Sequence, residues 1–143
     1  MIKTAIYDIV NGKDLSLETT RKVMFQIMEG EATNSQIGSF LTAMRLKGET
    51  IDEITACAMV MRDKCTKISP KTDVLDIVGT GGDEASTFNI STIASFVISA
   101  GGVPVAKHGN RSVSSKCGSA DLLETLGVKI DLTAEQSAKI LDE

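Results

Sequence analysis

The chain has 143 residues, 42% apolar and 24% charged, with a formal net charge of −4, the balance of a soluble globular protein with one core or two small units. The negative balance argues against a general nucleic-acid surface, which needs clustered Lys and Arg, and 3% aromatic residues with no Trp leave no stacking platform for single strands. No apolar run approaches the length of a membrane span.

The opening "IKTAIYDIVNGKD" has no long apolar stretch and no cleavage site, so it is not a signal peptide. A cytoplasmic protein is expected, and Cys57, Cys65 and Cys117, which lack paired zinc spacing, are expected to be core thiols. Up to about Ile68 the sequence is punctuated as short helices. Apolar residues recur at helical spacing in Ile2, Ile6 and Ile9, then Val23, Met24, Ile27 and Met28. The pattern continues through Ile37, Phe40, Leu41 and Met44, and again through Ile54, Cys57, Ala58, Met61 and Cys65. Gly12, Gly30 and Gly48 follow the first three segments as left-handed stops, and Thr33 with Gln36 and Thr50 with Glu53 have capping-box spacing. A four-helix unit over residues 1–68 is predicted, with one apolar stripe per helix and its methionines used for packing.

"SPKTD", Ser69 to Asp73, reads as a linker, and residues 69–143 follow a different pattern. "VLDIV" (74–78) and "VPVAK" (103–107) read as buried strands around a helix from Ile90 to Ala100 that is capped by Asn89 or Ser91 and stopped by Gly101 and Gly102. Strand, helix, strand at this spacing is a parallel, right-handed βαβ unit. A further helix is expected over Ser119 to Leu126 with a stop at Gly127, a third strand at "VKID", and a last helix boxed by Thr133 and Gln136. The fold class is therefore α/β: a four-helix unit, then the start of a parallel-sheet domain. The last helix runs to the end of the chain without Gly or Pro, and so small a parallel sheet leaves uncovered edges. The chain reads as cut rather than finished.

Two polar clusters, "GTGGDEASTFNIST" and "KHGNRSVSSKCGS", leave the carboxyl ends of the two strands, where open α/β sheets bind ligands. Gly79, Gly81 and Gly82 let backbone amides approach an anion, and the helix beginning near Ser91 adds N–H groups and the positive end of its dipole. Thr87, Asn89, Ser91 and Thr92 add donors or metal ligands, while Lys107 and Arg111 can neutralise phosphate. Each element has a plainer use: a tight turn for the glycines, a cap for Asp83, solvated charge for Lys107 and Arg111, and a helix approach for Ser114 and Ser115. His108, the only histidine, has no orienting carboxylate nearby in sequence and reads as a loop residue contributing backbone. Together the features favour a phosphorylated ligand. The spacing matches neither the P-loop nor the dinucleotide GxGxxG fingerprint.

"DIVGTGGDEASTFNIST" and "VPVAKHGNRSVSSKCGSADLLETLGVKIDL", with the helices before them, resemble the anthranilate phosphoribosyltransferases over essentially the whole chain. The resemblance implies a nucleoside phosphorylase/phosphoribosyltransferase-like α/β fold. It also implies transfer of phosphoribosyl from 5-phosphoribosyl-1-pyrophosphate (PRPP) to the amine of anthranilate, with Mg²⁺, in tryptophan biosynthesis. Position by position it implies PRPP contacts at Gly79, Gly82, Asp83, Thr87, Asn89, Ile90, Ser91 and Thr92, and a pyrophosphate clamp at Lys107, His108, Gly109, Asn110, Arg111, Ser112, Val113, Ser114 and Ser115, with Ser119 near it. Gly79 and Asn110 would also contact anthranilate, and Ser91 would be a Mg²⁺ ligand. No residue is implied as acid, base or nucleophile. Glu84 stands where relatives often carry glycine. The family's chain is more than twice as long, and it supplies an arginine for the anthranilate carboxylate and an Asp-Glu pair for Mg²⁺ beyond Glu143. The 143 residues alone are therefore expected to turn over negligibly. The N-terminal helices are expected to pair two subunits. Two other readings stay open: a relative of the pyrimidine nucleoside phosphorylases, or a helical interaction module carrying a vestigial phosphate loop.

Overall fold

The computed structural model describes residues 1–79, 88–111 and 117–143, which form two compact units, Met1–Cys65 and Thr66–Glu143. The first consists of α1 (Ile2–Val10), α2 (Leu17–Met28), α3 (Asn34–Lys47) and α4 (Ile51–Lys64). Local chemistry sets the helix ends. Ser16 Oγ accepts from Thr19 N, and full capping boxes join Thr33 to Gln36 and Thr50 to Glu53. Gly12, Gly30 and Gly48 take φ of +76°, +75° and +87° where the first three helices stop.

α1 packs on α3, α2 packs along α4, and α1 touches α2. The core is Ile2, Ala5, Ile9, Leu15, Val23, Phe40, Ala43 and Met44, with Ile6, Ile27 and Ala32 against it. In α4 the buried face is not the expected stripe. Glu53, Ala56 and Val60 point inward, while Ile54 and Met61 are 57% and 54% exposed and Cys57 is half-buried. The reason is polar. The Glu53 carboxylate is claimed from inside the unit by the Leu15 and Thr50 N–H groups and by Lys47, and this rotates the aliphatic stripe outward. The expectation of core thiols fails as well, since Cys65 and Cys117 are exposed. Burial, then the charge of Glu53, pushes the Cys57 thiol up.

The second unit carries α5 (Ile90–Ala100), α6 (Ser119–Thr125) and α7 (Ala134–Asp142). Gly102 and Gly127 take φ of +89° and +83° after α5 and α6, and Thr133 and Gln136 box α7. Asp142 Oδ1 accepts from the Lys71 and Thr72 N–H groups, tying the end of α7 to the unit's first residues.

Among the described residues the predicted strands reduce to one parallel bridge, Leu75 with Val105. Its two hydrogen bonds run from Leu75 N to Pro104 O and from Ala106 N to Leu75 O, at 2.9 and 3.0 Å. The sequence explains why it stays short. Pro104 has no N–H for the preceding rung. At the other end Lys107 Nζ takes Ile77 O at 2.8 Å, the acceptor that the next rung would need. Residues 128–131, expected as a third strand, have no ladder partner among the described residues. Parallel direction and the helix between the two segments agree with a βαβ connection, but a sheet is not formed by these residues.

Candidate functional site

The two extended segments of the second unit end side by side, and the described polar residues near those ends are tied together by their own contacts. Gly79 closes the first segment against the start of α5, where a Cβ on Gly79 would sit 3.5 Å from Ser91 Oγ. Asn89 occupies the N-cap position of α5 without capping it by its side chain. Its amide Nδ2 instead reaches Gly118 O at 3.5 Å, with Cys117 Sγ at 4.0 Å, which links the starts of α5 and α6. Ile90 is exposed, while Thr92 is 1% exposed and faces inward beside Ser95, whose Oγ donates to Thr92 O.

The second cluster is organised by its own hydrogen bonds. Two of the three Lys107 donors go to Ile77 O and His108 O, at 2.8 and 3.0 Å. Lys107 thus clips the loop to the first segment. Asn110 N donates to Ser119 Oγ at 3.3 Å, and Ala120 N donates to Asn110 O at 3.1 Å. Gly109 is required by this closeness, because a Cβ there would overlap Ser119 Oγ and lie 3.1 Å from Ser119 Cβ. Asn110 Oδ1 accepts from Arg111 N at 2.8 Å, so its amide nitrogen is the part that can face a ligand. The Arg111 guanidinium holds Glu124 through two bonds, 2.6 and 2.9 Å, and Asp121 at 3.2 Å. Those carboxylates, Glu124 first, raise its pKa further above the ordinary arginine range.

One relationship was missing from the sequence reading. Asp76 Oδ2 lies 2.6 Å from His108 Nδ1, so His108 does have an orienting carboxylate. The place of Asp76 inside the apolar run "VLDIV" was the available signal, since the run otherwise has no use for an acid. Gly79, Asn89, Ser91, Lys107, His108, Gly109, Asn110, Arg111 and Ser119 are thus gathered in one unit around adjacent strand ends. Gly81, Gly82, Asp83, Glu84, Thr87, Ser112, Val113, Ser114 and Ser115 lie outside the described residues. No group of three or more His, Cys, Asp or Glu side chains suited to a metal occurs among the described residues. The donor set here is hydroxyl and amide, which fits one ligand of a Mg²⁺ held mainly by substrate phosphates rather than an all-protein cage.

A helical bundle followed by a second unit that gathers donor groups where two parallel segments end matches, by comparison with known proteins, the glycosyl transferase class. The helical bundle domain of the glycosyl transferase family matches residues 3–65, and the a/b domain of the same family matches residues 71–143. The chain belongs to this glycosyl transferase family. It is 74% identical over 143 residues to the anthranilate phosphoribosyltransferase of Ruminiclostridium cellulolyticum, which covers all of this chain and 42% of that protein. It is 70% identical over 141 residues to that of Endomicrobium trichonymphae, again 42% of the relative. The crystal structure of anthranilate phosphoribosyltransferase from Thermus thermophilus superimposes with a TM-score of 0.82 at 42% identity, over 96% of this chain and 42% of that one. The chain therefore spans less than half the length of these relatives.

Proposed function

We propose that the second unit binds the pyrophosphate side of PRPP within an anthranilate phosphoribosyltransferase of tryptophan biosynthesis, in the cytoplasm. The observation that supports this best is the convergence of Gly79 and Ser91 with the Lys107–Arg111 loop at adjacent strand ends, in a chain so similar to relatives of that name. In the proposed reaction the anthranilate amine attacks C1 of PRPP, the C1–O bond breaks with its electron pair leaving on pyrophosphate, and the nitrogen's surplus proton passes to the pyrophosphate or to water. Mg²⁺ would neutralise charge on the departing pyrophosphate, with Ser91 Oγ as one ligand. The chain's own residues position and stabilise: the Gly79 amide, the start of α5, Asn89, Asn110 and the remaining Lys107 donor face the phosphates. The loop residues 80–87 and 112–116 are assigned to the same clamp. Positioning of this kind can supply about 7–11 kcal/mol of a barrier. No covalent nucleophile is needed.

The arginine for the anthranilate carboxylate and the acidic pair for the metal are assigned to sequence outside these 143 residues, so the chain alone is proposed to bind without appreciable turnover. A thermal-shift titration tests the reading. PRPP with Mg²⁺ should raise the melting temperature of the chain, while phosphate with a pyrimidine nucleoside should not. The reverse pattern would favour a phosphorylase relative.

The first unit is proposed to pair with a second copy. Leu41, Ile54 and Met61, each more than half exposed, line an apolar groove of about 440 Å³ between α3 and α4 with Phe40, Met44 and Ala58. Sedimentation velocity checks it: Ile54→Glu should shift the chain from dimer to monomer. Dimerisation with no response to any ligand would favour the interaction-module reading.

A further inference from the structure

We infer that Asp76 is a positioning residue that locks His108 as its Nδ1–H tautomer and so presents Nε2 as a bare acceptor for an N–H or O–H group of the ligand. The contact is short, Nδ1 to Oδ2 at 2.6 Å. Carboxylates are ionised at neutral pH and only accept, so the proton in this contact sits on Nδ1. In a neutral ring Nε2 is then unprotonated. The backbone reinforces the placement, because Lys107 Nζ bonds both the carbonyl of His108 and that of Ile77, next to Asp76. The ring cannot turn without giving up the Asp76 contact. Both side chains are substantially open, at 65% and 46% exposure, so the pair adds little to folding and leaves Nε2 reachable by a ligand.

The consequence is a division of labour at the strand ends. Lys107, Asn89, Asn110 and Arg111 offer donors, which suit phosphoryl oxygens. A bare Nε2 is mismatched to those oxygens, since neither side brings a proton. It suits the parts of the ligand that carry hydrogens, the ribose hydroxyls of the phosphoribosyl donor or the amine of the aromatic acceptor. This inference deepens the proposed phosphoribosyl reading and rests on it for the ligand, while the tautomer stands on the geometry alone.

The chain's single histidine makes the test direct. In a long-range ¹H–¹⁵N spectrum of the ¹⁵N-labelled 143-residue chain at neutral pH, His108 should show a protonated Nδ1 and a bare Nε2. Asp76→Asn, with its amide fingerprint otherwise preserved, should shift the ring towards the Nε2–H form that imidazole prefers in water. Asp76→Glu should restore part of the original signature. A wild-type ring that is mainly Nε2–H overturns the lock. The ligand arm adds PRPP with Mg²⁺, then anthranilate, separately. A change in the Nε2 shift with PRPP assigns the ribose hydroxyls, and a change with anthranilate assigns the amine. Amide shifts at Gly79 and Ser91 without any change at Nε2 overturn the acceptor role alone. Silence at every amide overturns the phosphoribosyl reading, and the acceptor role with it, while the ligand-free spectrum still decides the tautomer.

Discussion

Lys47 Nζ lies 2.9 Å from Glu53 Oε2, with the Glu53 side chain fully buried and that of Lys47 only 7% exposed. The pair is saturated on both sides. Glu53 also accepts from Leu15 N and Thr50 N, each at 2.8 Å, while Lys47 donates to Asp14 Oδ1 and Gly48 O. One carboxylate thus joins the α1–α2 connection, the end of α3 and the start of α4. Removing it leaves two backbone donors without their acceptor and takes one of three partners from a largely buried ammonium. Glu53→Ala should therefore cost about 3–5 kcal/mol, and Glu53→Gln, which keeps shape and part of the bonding, about 1–3 kcal/mol. Urea unfolding followed by amide exchange at Val23 and Phe40 would measure both. Equal costs for the two variants would mean that the charge is irrelevant.

The same pair gives the helical unit its pH limits. Burial works to raise the Glu53 carboxyl, but the Leu15 and Thr50 amides and Lys47 outweigh it and hold the group below the ordinary carboxylate range. A depressed folded value means stability that is present above the unfolded carboxylate range and lost as pH falls through the folded value. Lys47 moves the other way: its bond to Asp14, then its contacts with Glu53, outweigh burial and raise its pKa. Its contribution is complete below the ordinary lysine range and is lost as pH climbs through the raised value. Unfolding midpoints measured against pH should fall at both extremes, and Glu53→Gln should flatten the acid limb. An acid limb that is unchanged in the variant would contradict this account.

What the sequence disclosed about this unit was local. The boxes at Thr33 and Thr50 and the stops at Gly12, Gly30 and Gly48 follow from residues close in sequence, and all are formed. The inward face of α4 was not legible, because Glu53 turns inward only through partners contributed by other elements, and no periodicity count registers that. Asp76 and His108 were missed for the same reason. They sit on different extended segments and meet only when those segments lie parallel. The shortness of the Leu75–Val105 pairing, by contrast, could have been read from Pro104 and Lys107.

Gly109 should tolerate no side chain. A Cβ there would overlap Ser119 Oγ, so Gly109→Ala should destabilise the second unit by about 1–3 kcal/mol, the range for overpacking. Adding Ser119→Ala removes the overlapping oxygen and leaves a 3.1 Å approach to Cβ, which is tight but can relax. The double variant should be more stable than the sum of the single changes allows. Thermal unfolding of the four species closes the cycle, and simple additivity would show that the loop does not rest on Ser119.

Arg111 is proposed to serve the pyrophosphate clamp, yet its guanidinium is engaged by Glu124 and Asp121. A ligand phosphate must compete with those carboxylates. Exposed pairs of this kind are weak, so Glu124→Gln should tighten pyrophosphate binding by about fivefold at most, while Arg111→Ala should weaken it. Calorimetric titration at low and moderate salt would read both. If Glu124→Gln weakens binding instead, the carboxylate is holding Arg111 in its binding pose rather than competing for it.

Ser91 is the described residue proposed as a Mg²⁺ ligand, and this role separates cleanly from a purely anionic one. A hydroxyl that only donates to phosphate would matter equally with and without the metal. A hydroxyl that ligates Mg²⁺ matters only when the metal is there. Charge-assisted contacts of this kind contribute about 1.5–3 kcal/mol, so Ser91→Ala should reduce PRPP affinity by about tenfold or more in Mg²⁺ and change it little in EDTA. Removing Mg²⁺ from the unaltered chain should weaken binding to a similar degree. Ser91 Oγ faces the Gly79 backbone, 3.5 Å from where a Cβ on Gly79 would sit. Alanine is the right probe because it deletes the oxygen without crowding that approach. Equal losses in Mg²⁺ and in EDTA would assign Ser91 to the phosphate and move the metal's ligands elsewhere.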